Sequence, residues 1–363
     1  MTPMRITVIG AGNIGLAVAA HACHHGHDTT LWSPSGAGTA ALAAGQPLRY
    51  AGAIEGQARP GVASDLPAAV RDADVVYIAL PATAHAGVFK QLGQCLRDAQ
   101  PVILSALSSV SALVLDRELA ARGLRSNIAV FGSTPMTARR APTPEVQVSA
   151  LRTVLDMAAL PVARGPAALA LCTALFGERF RINGDILAMS LANVNPIAHS
   201  ALALCNITRM EHAEQWPQYH CITPYVSRLI ETMDAERLTL AAAVGCTLGT
   251  IHAHFHNSLG VAQTDLATIA AEIHRRRGGL PLGPTHPLHR YVLEDIPFGL
   301  VFFAALAKMV NRPVPVISSV ITIIDALYGR SFAQENDVLA TLGLEKLPLP
   351  ELLALAREGY PRR

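Results

Sequence analysis

Two short segments of the sequence hold side chains able to move protons. "NVNPIAH" (193–199) sets Asn195 and His199 four positions apart, on one face of a helix, with Pro196 between them to interrupt or kink it. "RYVLEDIPFGL" (290–300) gathers Arg290, Glu294 and Asp295 just ahead of Pro297 and a strongly apolar run. An imidazole titrates close to neutral pH and suits general acid–base work. A carboxylate on its other nitrogen fixes its tautomer and favours the imidazolium. A guanidinium offers the planar fork that a substrate carboxylate fits. Each residue also has a plainer reading. His199 reads as a hydrogen-bonded core histidine, Asp295 as a helix N-cap and Asn195 as part of a kink.

Such residues need elements to position them, and the first half of the chain supplies one half of a redox site. "MRITVIGAGNIGLAVAAHACHHGH" reads as an apolar strand, a glycine loop and a helix, with a second strand, "HDTTLW", beyond. In the loop Gly10-Ala11-Gly12-Asn13-Ile14-Gly15, Gly10 permits the tight turn and Gly12 lets a pyrophosphate approach the backbone. Gly15 lets helix and strand pack closely, and the phosphates rest on the helix N-terminus. This is a dinucleotide-binding fingerprint in its proper strand–loop–helix setting. NAD binders place an acid at the end of the second strand to hold the ribose hydroxyl. Here stand Trp32, Ser33, Pro34 and Ser35. Nothing there repels a 2′-phosphate and two hydroxyls can donate to it, so NADP is the expected cofactor, with NAD the alternative. No arginine follows closely, which leaves the phosphate clamp incomplete.

Further strands, "DADVVYIALP", "PVILSAL", "NIAVFGSTPM" and "VQVSALRTVLDMAAL", alternate with helical stretches and imply a parallel sheet covered on both faces. Ligands lie beyond the carboxyl ends of such strands, which places Leu80, Pro81 and Gly132-Ser133-Thr134 near the nicotinamide half of the cofactor. The expected fold is a Rossmann-type α/β domain over residues 1–182. From Gly184 the pattern becomes helical in length and period, punctuated most densely at "RRRGGLPLGPTHPLH", and an all-α domain is expected over 183–363.

Composition closes off other classes. Charged residues make up 15% of the chain and the net charge is +2 without basic or acidic blocks, so neither nucleic acid nor an anionic membrane is the expected partner. The longest stretch free of Asp, Glu, Lys and Arg holds three histidines and many polar groups, unlike a membrane span. The N-terminus imitates a secretory signal, but the glycine loop accounts for it better. Cysteines 23, 95, 172, 205, 221 and 246 are scattered without a CxxC pair and read as reduced core residues of a cytoplasmic protein. His21, His24, His25 and His27 end the first helix, and His252, His254 and His256 follow each other in "HAHFH". Neither cluster has ligands at metal spacing, and no metal is expected.

Taken together, "NVNPIAH", "YHCITPYV" with "MDAER" following, and "RYVLEDIPFGLV" resemble the octopine/nopaline-type opine dehydrogenases over essentially the whole chain, most of all the bacterial branch whose product is N-(1-D-carboxyethyl)-L-norvaline. The resemblance implies that His199 and Asp295 form a catalytic dyad and that Arg290 contacts substrate. It implies a reductive condensation of a 2-oxo acid, typically pyruvate, with the amino group of an amino acid through an imine. Asn195, for substrate or nicotinamide amide, and Arg139, after the Gly132 strand, are further substrate-binding candidates. The sequence departs from its nearest relatives at Ser33, where they carry an acid, and in the amino-acid pocket. Cofactor choice and substrate identity are therefore not carried over, and a homodimer is left open. Two rival readings stand beside this one. Ketone reductases of the ketopantoate or glycerol-3-phosphate type use a lysine acid in the helical domain, whereas Lys308 and Lys346, the only lysines after residue 182, sit in no such motif. A non-catalytic dinucleotide-binding regulator would need neither His199 nor Asp295.

Overall fold

A computed structural model of the chain describes residues 2–141 and 144–362. Twelve strands are assigned among them: β1 (Arg5–Ile9), β2 (Asp28–Trp32), β3 (Leu48–Gly52), β4 (Gly56–Ala58), β5 (Gly61–Val62), β6 (Val75–Ile78), β7 (Val102–Leu104), β8 (Ile128–Phe131), β9 (Met136–Arg140), β10 (Glu145–Leu151), β11 (Leu155–Leu160) and β12 (Phe180–Ile182). Eight form one sheet in the order β12-β11-β8-β7-β6-β1-β2-β5. Its pairings are parallel except between β11 and β8. β6, β7 and β8 are buried at every residue, as strands covered on both faces must be, and their Val, Ile, Leu and Phe content provides for it.

A second, four-stranded sheet, β4-β3-β10-β9, differs from the single parallel sheet read from the sequence. "VQVSAL" joins this sheet, not the large one, because β10 pairs parallel with β3 and antiparallel with β9. The helix Asn13–His24 packs between strands of both sheets. That position explains its composition: Gly15 to Ala22 are buried without interruption, and small residues let two sheets approach one helix from opposite sides.

The chain divides into two compact units. One runs to Ser190 and takes back the chain from Leu352; the other is Leu191–Glu351. By compactness the division falls at Ser190, against the 182 expected from the sequence, and the chain from Leu352 goes with the first unit. A buried anchor explains its return. Asp116 is fully buried, and it pairs with Arg362 at 2.6 Å, accepts the backbone N–H of Tyr360 at 2.6 Å and accepts the hydroxyl of Ser126. An unpaired carboxylate there would be costly, so the C-terminal segment is needed where it lies.

The second unit is helical. "MDAER" is its structural hub. Arg237, with no solvent exposure, pairs with Asp234 at 2.7 Å and donates to the carbonyls of Leu191 and Gly249. Asp234 also accepts the N–H of Ile251, and Glu236 accepts those of Val316 and Ile317, which open the helix Pro315–Tyr328. Pro196 does not kink a helix. The helix Asn195–Cys205 begins beside it, in the first turn, where a missing N–H costs nothing. One apolar stretch, Ile186–Cys205, is long enough to cross a membrane by length and composition, and most of it is buried inside the fold.

Candidate active site

The first unit builds the cradle expected of the glycine loop, and each glycine has a separate steric reason. Gly10 has φ +110°, and a Cβ there would collide with the carbonyl of Ala79. A Cβ on Gly15 would collide with the carbonyl of Gly10. A Cβ on Gly12 would meet nothing within 4 Å, so the space above the helix N-terminus is open. No acid stands in the first turn of that helix and no side chain caps it, which suits phosphates. Ile14 is half-buried against the core, and Asn13 turns its Oδ1 to the backbone N–H of Arg140 at 3.1 Å. These residues fit a dinucleotide.

Beyond the end of β2 lies a cleft of about 420 Å³ lined by Trp32, Ser33, Ser35, Thr39, Asp65 and Gln91, among others. The Oγ of Ser33 is buried and has no hydrogen-bond partner among the described residues. Asp65 caps the helix Leu66–Arg71 through Ala68 N–H at 2.7 Å, and its hydrogen bonds to Ala68 and Ser64 hold its carboxyl below the usual range. Leu80 lies against Gly10, and Pro81 is exposed at the mouth of β6. Sequence reasoning missed the group that fixes this turn. His85, fully buried, donates from Nε2 to the Leu80 carbonyl at 3.2 Å and accepts at Nδ1 from Ser111 Oγ at 2.9 Å. Burial pushes its pKa down to about 4, so it is neutral, as that pair of bonds requires.

In the helical unit, His199 Nδ1 lies 2.8 Å from Asp295 Oδ2, with side-chain exposures of 12% and 4%. Asp295 precedes the π-turn Ile296–Leu300 but makes no side-chain cap bond. Its carboxylate is spent on the imidazole, not on a helix end. With Nδ1–H donated to Asp295, the second nitrogen, Nε2, is the one left to exchange a proton. Local chemistry brings the two segments together. Pro196 and Gly299 touch so closely that a Cβ on Gly299 would overlap the proline ring. The carbonyl of Pro297 is held by buried Asn336 at 2.7 Å.

Tyr291 lies flat on His199, with ring centroids 3.7 Å apart and planes 8° apart. Its hydroxyl donates to Gln218 Oε1 at 2.6 Å. Gln218 is fixed in turn, because its N–H bonds Pro281 and the neighbouring Trp216 indole donates to Pro284. Gly283 is the only residue type that fits against the Trp216 ring. The glycine- and proline-rich stretch before His289 therefore buttresses the stack. His289 accepts the Tyr291 N–H at Nδ1, and its pKa is pushed down to about 4 by burial, with Arg290 and His199 adding to the effect.

Arg290 bonds Glu294 through Nε at 2.9 Å and is half-exposed. Its terminal nitrogens have no partner in that bond. Asn195 sits half-buried at the helix start, one turn before His199. Arg139 lies at the exposed end of β9, in the other unit from the dyad. Tyr291 and Gly299 were legible only as residue types within a motif, and Gln218 falls just ahead of "YHCITPYV", outside every motif; nothing local marks them as partners of His199. The histidine clusters take structural bonds. His21 bonds the Leu175 carbonyl, His27 accepts the Met4 N–H, His252 meets Glu231 and His256 the Val261 carbonyl.

A dinucleotide cradle in an α/β unit, followed by a helical unit holding a histidine–aspartate pair, defines a nicotinamide-dependent dehydrogenase of two domains. Residues 182–328 match the family described as NAD/NADP octopine/nopaline dehydrogenase, alpha-helical domain, and residues 5–110 match NAD-dependent glycerol-3-phosphate dehydrogenase N-terminus. The chain is 29% identical to an opine dehydrogenase of Arthrobacter sp. (strain 1C), over 94% of this chain and 95% of that one. It is 25% identical to a vitopine synthase of Allorhizobium ampelinum over 87% and 89%. A solved octopine dehydrogenase with NADH and L-arginine superposes with TM-score 0.77 at 19% identity, covering 99% of each chain. Residues 182–328 thus belong to the octopine/nopaline dehydrogenase family, and the chain is similar to opine dehydrogenases over nearly its whole length.

Proposed function

We propose that the protein joins a 2-oxo acid, pyruvate-like, to the amino group of an amino acid and reduces the resulting imine, with His199 and Asp295 as its acid–base pair. The observation that carries this reading is the buried His199–Asp295 bond made by an aspartate that caps nothing. Free Nε2 takes a proton from the incoming ammonium, which makes the amine a nucleophile. The same imidazolium returns a proton to the carbinolamine oxygen, which leaves as water. Asp295 keeps Nδ1 protonated through both steps and offsets the imidazolium charge. Tyr291 holds the ring plane. The Arg290 terminal nitrogens bind a substrate carboxylate, with Arg139 and Asn195 as further contacts. A bound reduced nicotinamide supplies the hydride to the imine carbon. Gly10, Gly12, Asn13, Ile14 and Gly15 hold its phosphates, Leu80 and Pro81 border its nicotinamide half, and Ser33 favours NADP over NAD. All six cysteines are free thiols, which supports a cytoplasmic setting.

The test is NADPH oxidation with pyruvate alone and with pyruvate plus a panel of amino acids. Turnover that requires both substrates, with a secondary amine dicarboxylate as product, is expected. Turnover with the 2-oxo acid alone would mean a ketone reductase, and binding without turnover a regulator.

A further inference from the structure

The sequence leaves the phosphate clamp beside Ser33 without a cation, and the fold supplies one from an unexpected direction. β9 belongs to the second sheet and crosses the N-terminal end of the helix Asn13–His24, where the Arg140 N–H bonds Asn13 Oδ1 at 3.1 Å. The Arg140 guanidinium reaches further, and its Nη1 lies 3.5 Å from the carbonyl oxygen of Ala11, inside the glycine loop. The loop that follows β2 touches that same residue. A Cβ on Gly38 would stand 2.9 Å from Ala11 Cβ and 3.0 Å from Ala11 O. Ala11 is thus flanked by Arg140 and by the loop that begins at Ser33. The Ser33 Oγ is a buried hydroxyl without a partner among the described residues, and no acid follows it before Thr39. The long exposed arginine makes no ion pair among the described residues.

We infer that Arg140, on the second sheet, is the specificity-determining cation for the 2′-phosphate of NADP, working with the Ser33 hydroxyl. This rests on the reading that the glycine loop and Ser33 take NADP. A planar guanidinium pairs with a phosphate through two parallel bonds, and a phosphomonoester carries close to two charges at neutral pH. NAD presents only a ribose hydroxyl at that position, so the arginine gains nothing from it. The 2′-phosphate also exchanges the weak bond to Ala11 for a charged one.

The experiment titrates NADPH, NADH, 2′,5′-ADP and 5′-AMP against the wild type, Arg140→Ala and Arg140→Lys, following nicotinamide fluorescence directly and by competition. The wild type is expected to prefer NADPH. Arg140→Ala should weaken NADPH and 2′,5′-ADP by roughly 10–100-fold, as the loss of a charged hydrogen bond does, and leave NADH and 5′-AMP within about 2-fold. Arg140→Lys should fall between, because it keeps the charge and loses the fork. Equal weakening of all four ligands would place Arg140 on the pyrophosphate and overturn the inference, as would unchanged NADPH binding. A wild type that prefers NADH refutes the NADP reading of Ser33 whatever the Arg140 variants do. A wild type that prefers NADPH with a neutral Arg140→Ala refutes only the role of Arg140. The side chain is exposed, so both variants should fold, and unchanged circular dichroism verifies it.

Discussion

Gly299→Ala should separate the dyad without touching either member of it. The residue packs on Pro196, three residues ahead of His199, and stands four beyond Asp295. An added methyl would overlap Pro196 Cβ and Cγ. Carbon atoms in contact settle at about 3.5–4.0 Å, so the two segments must part by roughly 1 Å or more. A proline ring has no rotamer to retreat into. Overpacking of this kind costs about 1–3 kcal/mol of stability. The functional cost should be larger. Moving the π-turn by such a distance stretches the His199–Asp295 bond from 2.8 Å past useful hydrogen-bond length. Misplacement by about 1 Å in a catalytic arrangement costs on the order of 10²-fold in rate. Steady-state kcat with a 2-oxo acid and an accepted amino acid, beside a melting curve, reads both. Pro196→Gly combined with Gly299→Ala restores the space and should recover part of the activity. A Gly299→Ala enzyme with lowered Tm and full kcat per folded molecule would refute the claim that this contact sets the dyad.

His199→Ala should lower kcat by roughly 10²–10⁴-fold with cofactor affinity nearly unchanged. Asp295→Asn should do similar damage and the double variant little more, since residues acting as a unit are not additive; a lowered Tm with intact kcat would instead mark a core histidine. Tyr291→Leu should lower kcat, because the ring of His199 loses the face that holds its plane, whereas Tyr291→Phe keeps the stack and should stay near wild type. An unchanged kcat in Tyr291→Leu would count against that role. Ser33→Asp should move the preference toward NADH, and paired NADPH and NADH titrations test it. His21 and His85 have pKa values lowered to about 4 from 6.5, mainly by burial. Such groups leave stability intact above pH 6.5 and remove it as pH falls toward 4, by about 1.4 kcal/mol per pH unit each. Urea unfolding at pH 7.5, 6 and 5 should show that loss, and a flat profile would contradict it.

How legible each feature is follows from the range of the interactions behind it. The glycine loop is decided within six residues by φ and steric contact, and each glycine has the steric place expected of it. The second sheet depends on β3 meeting β10, two short strands with most of an α/β domain between them. Alternation of strand and helix carries no trace of such a pairing. The same gap hid Arg140. The sequence marks these residues only as following the Gly132 strand, and it is the second sheet that brings Arg140 to Ala11. The chain beyond Glu351 reads as one more helix of the helical domain. Its return depends on Asp116, a buried acid that looks like any other helix residue in the sequence.

The helical unit separates what a family resemblance carries from what a site needs. "NVNPIAH" and "RYVLEDIPFG" bring His199 and Asp295 together, and they also hold each other, through Pro196 and Gly299. "MDAER" is as recognisable, yet its three charged side chains face buried backbone: Arg237 the carbonyls of Leu191 and Gly249, Asp234 the start of one helix and Glu236 the start of another. Breaking a buried pair by removing one partner costs about 3–5 kcal/mol, so the fold alone requires this motif, whatever the substrate. Arg237 grips the Leu191 carbonyl, four residues before Asn195, and thereby steadies the entry to the His199 helix. Family resemblance accordingly carries the scaffold, and the His199–Asp295 bond is built into it.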